Sequence, residues 1–158
     1  MDTFWPLLVQ WLHILAGVVW VGGYAFVSLA LWPALLHRPA PEARALFDAL
    51  ARPIGILMGT SAQAAFWLGL LRGTVFGPVR SFAALFGTPY GRTFAAAIVL
   101  TVAAVVYGAT SGRRLEARVW DGDAWRPGAA RYLRRSSGIM LALLGAIVAC
   151  MVLMRFGL

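Results

Sequence analysis

Four stretches of the chain carry no Asp, Glu, Lys or Arg: Thr3 to Leu36, Pro53 to Leu71, Thr93 to Gly112 and Ser136 to Met154. Each approaches or exceeds the roughly 20 residues of helix that cross a hydrocarbon core about 30 Å thick. The pattern predicts an all-α fold, an integral membrane four-helix bundle formed by one transmembrane domain over residues 1–158, with spans at about 5–34, 53–72, 92–112 and 136–156. The first run is too long for a plain span and ends at Trp32-Pro33. Its helix is therefore expected to tilt, or to protrude from the lipid before proline intervenes. A cleaved signal peptide does not fit, because Asp2 stands where a basic n-region belongs and the apolar run far exceeds an h-region.

The connections differ in character. Pro41 to Leu50 places Ala43, Leu46, Phe47 and Leu50 on one face at helical spacing, which predicts one short interfacial helix in the first connection. The second, Arg72 to Arg92, is rich in Gly, Pro and Phe and reads as a partly apolar loop on the membrane surface. The third, Arg113 to Arg135, is the most polar part of the chain.

Composition agrees with a lipid bilayer as the principal partner. Hydrophobic residues make up 61% and charged residues only 13%, where a soluble domain carries about a quarter charged. The 14 basic residues are all arginine, which excludes any lysine-dependent chemistry. A formal charge of +8 raises nucleic acid as a partner, but a nucleic-acid binder gathers its cations on a polar surface, whereas these arginines sit between apolar runs. No nucleic acid is expected. Connections one and three hold Arg38, Arg44, Arg52, Arg113, Arg114, Arg118, Arg126, Arg131, Arg134 and Arg135, and the opposite side holds Arg72, Arg80, Arg92 and Arg155. By the positive-inside rule the ten-arginine face is cytoplasmic. The expected location is the bacterial inner (cytoplasmic) membrane, multi-pass, with both termini periplasmic. The single cysteine, Cys150, excludes an intrachain disulfide and any multi-cysteine metal site.

Chemistry then rests on the few polar groups inside the spans, since an ionisable side chain at membrane depth is costly. His13 lies about two turns into the first span, on a face that continues through Gln10, Gly17, Trp20 and Tyr24. Gly17 leaves a notch one turn along. Such a face suits a planar macrocycle, with the imidazole on the metal and Trp20 walling the pocket. An imidazole hydrogen-bonded across the bundle, with only a packing role, satisfies the same residues.

The segment His13-Ile14-Leu15-Ala16-Gly17-Val18-Val19-Trp20-Val21-Gly22-Gly23 resembles the first-helix signature of the copper-resistance protein D (CopD) membrane family, in which a histidine is followed seven residues later by tryptophan and then a glycine pair. Tyr90-Gly91-Arg92, opening the third span, is similar to that family's third-helix start. The wider group includes the HemJ-type protoporphyrinogen oxidases. The resemblance implies a four-helix heme b site with His13 as an axial ligand. It does not extend to the lysine that HemJ-type proteins carry in the third helix, since Ala97 stands at the aligned position. Leu29 and Ala34 stand where those proteins have an arginine and a histidine, and His37 comes three residues late. These departures argue against protoporphyrinogen oxidation.

Counting inward from one membrane face at about 1.5 Å per residue puts His13 level with Ala65, Val99 and Ala149. The soft donors near that depth are Cys150 and Met151, with Met154 one turn nearer the surface. Arg92 is expected to hold the carboxylates of the cofactor, with Arg80 and Arg155 as alternatives. Three function classes stay open. The first is a heme b protein moving electrons or oxidising a small substrate near the periplasmic face, with a redox partner or a second copy of the chain. The second is copper handling, with His13, Cys150, Met151 and Met154 as Cu(I) donors. The third is a structural subunit or assembly factor without cofactor.

Overall fold

The computed structural model describes residues 3–158, so Asp2 lies outside the described residues. Four helices are long and apolar enough to cross a membrane: Phe4–Leu36, Ala40–Thr74, Pro89–Val119 and Ala129–Arg155. The protein is an all-α four-helix membrane bundle. Large apolar side chains such as Trp11, Leu29, Ile56, Val99 and Val106 stay exposed, apolar surface that in water would drive association and in a bilayer faces acyl chains.

The first crossing is not one uniform helix. α1 (Phe4–Phe26) passes into a π-turn at Val27–Leu31 and then α2 (Trp32–Leu36). The cause is Pro33, which has no N–H to donate and whose ring conflicts with the carbonyl of Leu29, four residues back. The preceding turn widens, and the Trp32 N–H bonds Val27, five residues back. His37 ends the segment, its Nδ1 2.7 Å from the Pro33 carbonyl oxygen.

α3 runs without interruption from Ala40 to Thr74, 35 residues with Pro53 inside. Residues 41–50 are helical, as their spacing predicts, but they form the first turns of the second crossing and not a separate interfacial helix. A proline costs its helix one hydrogen bond and a local bend, and here the helix continues through it. A short surface helix stands instead in the second connection: α4 (Phe82–Gly87), capped by Ser81, whose hydroxyl accepts from the Ala84 N–H at 3.1 Å. Thr88 caps α5 (Pro89–Val119) in the same way through the Gly91 N–H at 3.0 Å. Gly91 is required there, because a Cβ would collide with the Ala84 and Leu85 carbonyls where α4 folds back on α5.

α5 leads into a two-stranded hairpin, β1 (Trp120–Asp121) and β2 (Ala124–Trp125), with Trp120 opposite Trp125. Gly122 takes the positive φ of +61° in its turn. α6 (Ala129–Arg155) returns across the membrane.

The long helices pack as two pairs, α1 against α3 and α5 against α6, with sparse contact between pairs. Two cores result. The central one joins Trp20, Met58, Ala62, Ala65, Ala104, Met140, Leu144 and Ile147 from all four crossings. The second lies at the arginine-rich end, where helices of 31 to 35 residues outrun the bilayer, and gathers Trp32, Leu35, Ala43, Val119, Trp120, Ala129 and Leu133. Its aromatics are stacked, Trp120 on Trp125 with centroids 4.3 Å apart and Trp32 on Phe47 at 5.6 Å. Arg44 completes this end: its guanidinium sits 5.3 Å from the Trp120 ring centroid and pairs with Asp48 at 3.0 Å and with Glu116 of α5.

Candidate functional site

Toward the opposite end, all four long helices enclose a cavity of about 700 Å³, well within the range of small-molecule and cofactor sites. Every long helix contributes to its wall. α1 supplies Gln10, His13, Gly17 and Trp20; α3 supplies Ala65, Gly69, Arg72 and Gly73; α5 supplies Tyr90, Phe94, Ala97 and Thr101; α6 supplies Ile147, Met151, Met154 and Arg155. Gly17 leaves open space where a Cβ would stand, whereas Gly69 and Gly73 are covered by the His13 and Phe94 rings. Trp20, 3% exposed, and Ile147, 2% exposed, tie the cavity to the central core.

His13 is held in one orientation. Its Nδ1 lies 2.9 Å from the Ala65 carbonyl oxygen. A carbonyl only accepts, so Nδ1 carries the proton, and in the neutral ring Nε2 keeps its lone pair. This is the arrangement in which metal-binding histidines are fixed by a backbone carbonyl behind them. The ring rests on Gly69, where a Cβ would stand 2.8 Å from the imidazole Cε1. The glycine against the imidazole is thus Gly69 on the neighbouring helix. Gly17 faces open space and lines the cavity instead.

The polar groups at the outer rim are Gln10, Arg72, Tyr90 and Arg155. Arg72 is half-buried, and its Nε donates to Gln10 Oε1 at 2.9 Å while Nη1 donates to the Phe76 carbonyl at 2.9 Å. The Thr101 hydroxyl is spent on the Ala97 carbonyl at 2.8 Å.

Of the residues expected from the sequence, Gln10, His13, Gly17, Trp20, Met151, Met154 and Arg155 line this cavity, and Tyr24, Arg80, Arg92 and Cys150 lie outside its lining. Tyr24 is one turn beyond Trp20, in the central core, with its hydroxyl against Gly108 of α5. Arg92 is exposed, because the inward seam of α5 runs through Gly91, Phe94, Ala97 and Thr101. Cys150 is half-buried and outside the lining, rotated about 100° around α6 from its neighbour Met151. Gly69 and Arg72 are the residues that sequence reasoning did not assign to the site. Their signal is the spacing Ala65, Gly69, Arg72, which stays on one helical face once Ala65 is set level with His13.

Among the described residues, no three His, Cys, Asp or Glu side chains converge. The donors at the cavity are one imidazole and the thioethers of Met151 and Met154. Such a set fits an iron whose remaining positions come from a macrocycle, and its sulfurs would also suit Cu(I). Comparison of the chain with protein-family models, with curated proteins and with solved structures returns no match.

Proposed function

We propose that this cavity is a heme b site with His13 as an axial ligand through Nε2, and that the protein is a membrane redox or electron-transfer protein. The observation that carries the reading is the fixed imidazole: its Nδ1 is committed to the Ala65 carbonyl at 2.9 Å, so its basic nitrogen is left for the largely apolar space of about 700 Å³ that His13 lines. A bound heme supplies a one-electron iron couple. The chain's own contribution is to orient the ligand nitrogen, exclude water with Trp20, Phe94 and Ile147, and offer Met151 as a candidate second axial donor. Were the Met151 thioether to join His13 in holding the group, it would raise the potential of that couple.

The arginine distribution supports an orientation in which the cavity end faces the periplasm, in a bacterial inner membrane, with a redox partner on that side. Maleimide labelling of single cysteines introduced at the two ends of the bundle reads that orientation directly.

The test is the composition of the protein purified in detergent from heme-replete cells. About one heme per chain, with reduced α and β bands, is the expected result. A colourless protein that retains copper would transfer the cavity to Cu(I), and a colourless protein without metal would leave His13 a packing residue.

A further inference from the structure

The cavity ends, on the side away from the ten-arginine end, in a cationic rim set on apolar walls. Arg72 is anchored there by two neutral acceptors, Gln10 Oε1 and the Phe76 carbonyl, each at 2.9 Å. Gln10 precedes His13 by three residues, so the anchored guanidinium edge sits about 4.5 Å along the α1 axis from the imidazole level. Because Nε is tied inward to α1, the side chain is not extended toward lipid phosphate in the manner of a snorkelling arginine.

Charge is the second observation. Among the described residues, the ion pairs are Arg38–Glu42, Arg44–Asp48, Arg44–Glu116 and Arg126–Asp121, all at the opposite end of the bundle. Neither Arg72 nor Arg155 has a carboxylate partner among those residues, although both line the cavity. A half-buried guanidinium satisfied only by neutral groups keeps its full charge beside hydrocarbon, which is costly until an anion joins it. Within the described residues, Arg72 spends Nε and Nη1, and its second terminal nitrogen remains for a ligand.

We propose that Arg72, oriented by Gln10 and joined by Arg155, is an anion clamp at the outer rim that selects a ligand with carboxylates on one edge of an apolar body. The inference rests on the reading of the cavity as a porphyrin site and assigns that ligand's acidic edge to Arg72, not to Arg92.

Hemin and hemin dimethyl ester share iron and ring and differ only in whether that edge is ionised. Titrated into the full chain in phosphatidylcholine nanodiscs, the wild type should bind hemin about tenfold or more tightly than the ester. In Arg72→Gln that preference should fall to about one while the His13-dependent absorption band persists. Arg72→Lys, which keeps the charge without the fork, should retain part of it. If Arg72→Gln does not fold, Gln10→Ala reads the same contact, since it frees the guanidinium without removing it, and should lower the preference several-fold. Equal affinity of the wild type for acid and ester overturns the clamp and leaves the porphyrin site standing. A preference unchanged in the Arg72→Gln, Arg155→Gln double variant overturns it too. Loss of the preference in nanodiscs containing phosphatidylglycerol gives the rim to lipid phosphate and overturns the carboxylate assignment. An acid preference without a His13-dependent band keeps the clamp and removes His13 as ligand. Saturable binding of neither compound ends both readings.

Discussion

The imidazole of His13 packs so closely on Gly69 that one added Cβ would stand 2.8 Å from Cε1 and 3.2 Å from Nδ1. Gly69→Ala must therefore push the ring off the Ala65 carbonyl or spread α1 from α3. Overpacking of this kind costs about 1–3 kcal/mol. The expected outcome is a folded protein with a modestly lower Tm and a marked loss of heme per chain. Gly17→Ala adds its methyl to open space, and should keep more heme than Gly69→Ala. Pigment-to-protein ratios of the two variants, measured side by side, check the order.

The aromatic stack at the arginine-rich end makes a separate prediction. Among the described residues, the indole N–H groups of Trp120 and Trp125 find no hydrogen-bond partner, so removing one of those donors while keeping an aromatic ring should be nearly free. Trp125→Phe is expected to change stability by less than about 1 kcal/mol, whereas Trp120→Ala, at a position 3% exposed, should cost about 3–5 kcal/mol. Thermal unfolding of the two variants in one detergent decides it, and heme content should be unchanged in Trp125→Phe because the stack is remote from the cavity.

The spans were legible because lipid forbids charge, and four charge-free runs could be read directly. Their ends were less so. α3 begins at Ala40 and α5 continues to Val119, beyond the apolar windows, because helices leaving the bilayer keep their hydrogen bonds while Glu42, Arg44, Arg114 and Glu116 take the polar surroundings. The amphipathic pattern of Ala43, Leu46, Phe47 and Leu50 fits a helix on a membrane surface as well as one packed on a second core, and only the neighbouring Trp32 and Trp120 distinguish the two. Depth was readable: the count that set His13 level with Ala65 matches the hydrogen bond between them. Rotation was not. Which side of α5 or α6 turns inward depends on packing against the partner helix, so Arg92 and Cys150 could not be separated from Arg72 and Met151 by counting residues.

Arg44 and Glu116 join the two helix pairs at that same end, with Asp48 and the Trp120 ring sharing the guanidinium. Arg44→Ala should lower Tm slightly, and the difference from wild type should shrink as salt is raised, as expected of a largely solvated pair. A double-mutant cycle with Glu116→Gln isolates their coupling. Coupling indistinguishable from zero would show that the two pairs are held at this end by the aromatic stack alone.

The most direct measurement is the optical spectrum of purified, hemin-loaded protein in three forms: wild type, His13→Ala and His37→Ala. His37 is the internal control, since it lies outside the cavity that His13 lines. Wild type and His37→Ala should show the same Soret, α and β bands at about one heme per chain, and His13→Ala should lose them until free imidazole is added. Unchanged bands in His13→Ala, or a wild type that takes up no hemin, would contradict the assignment of His13 to the iron.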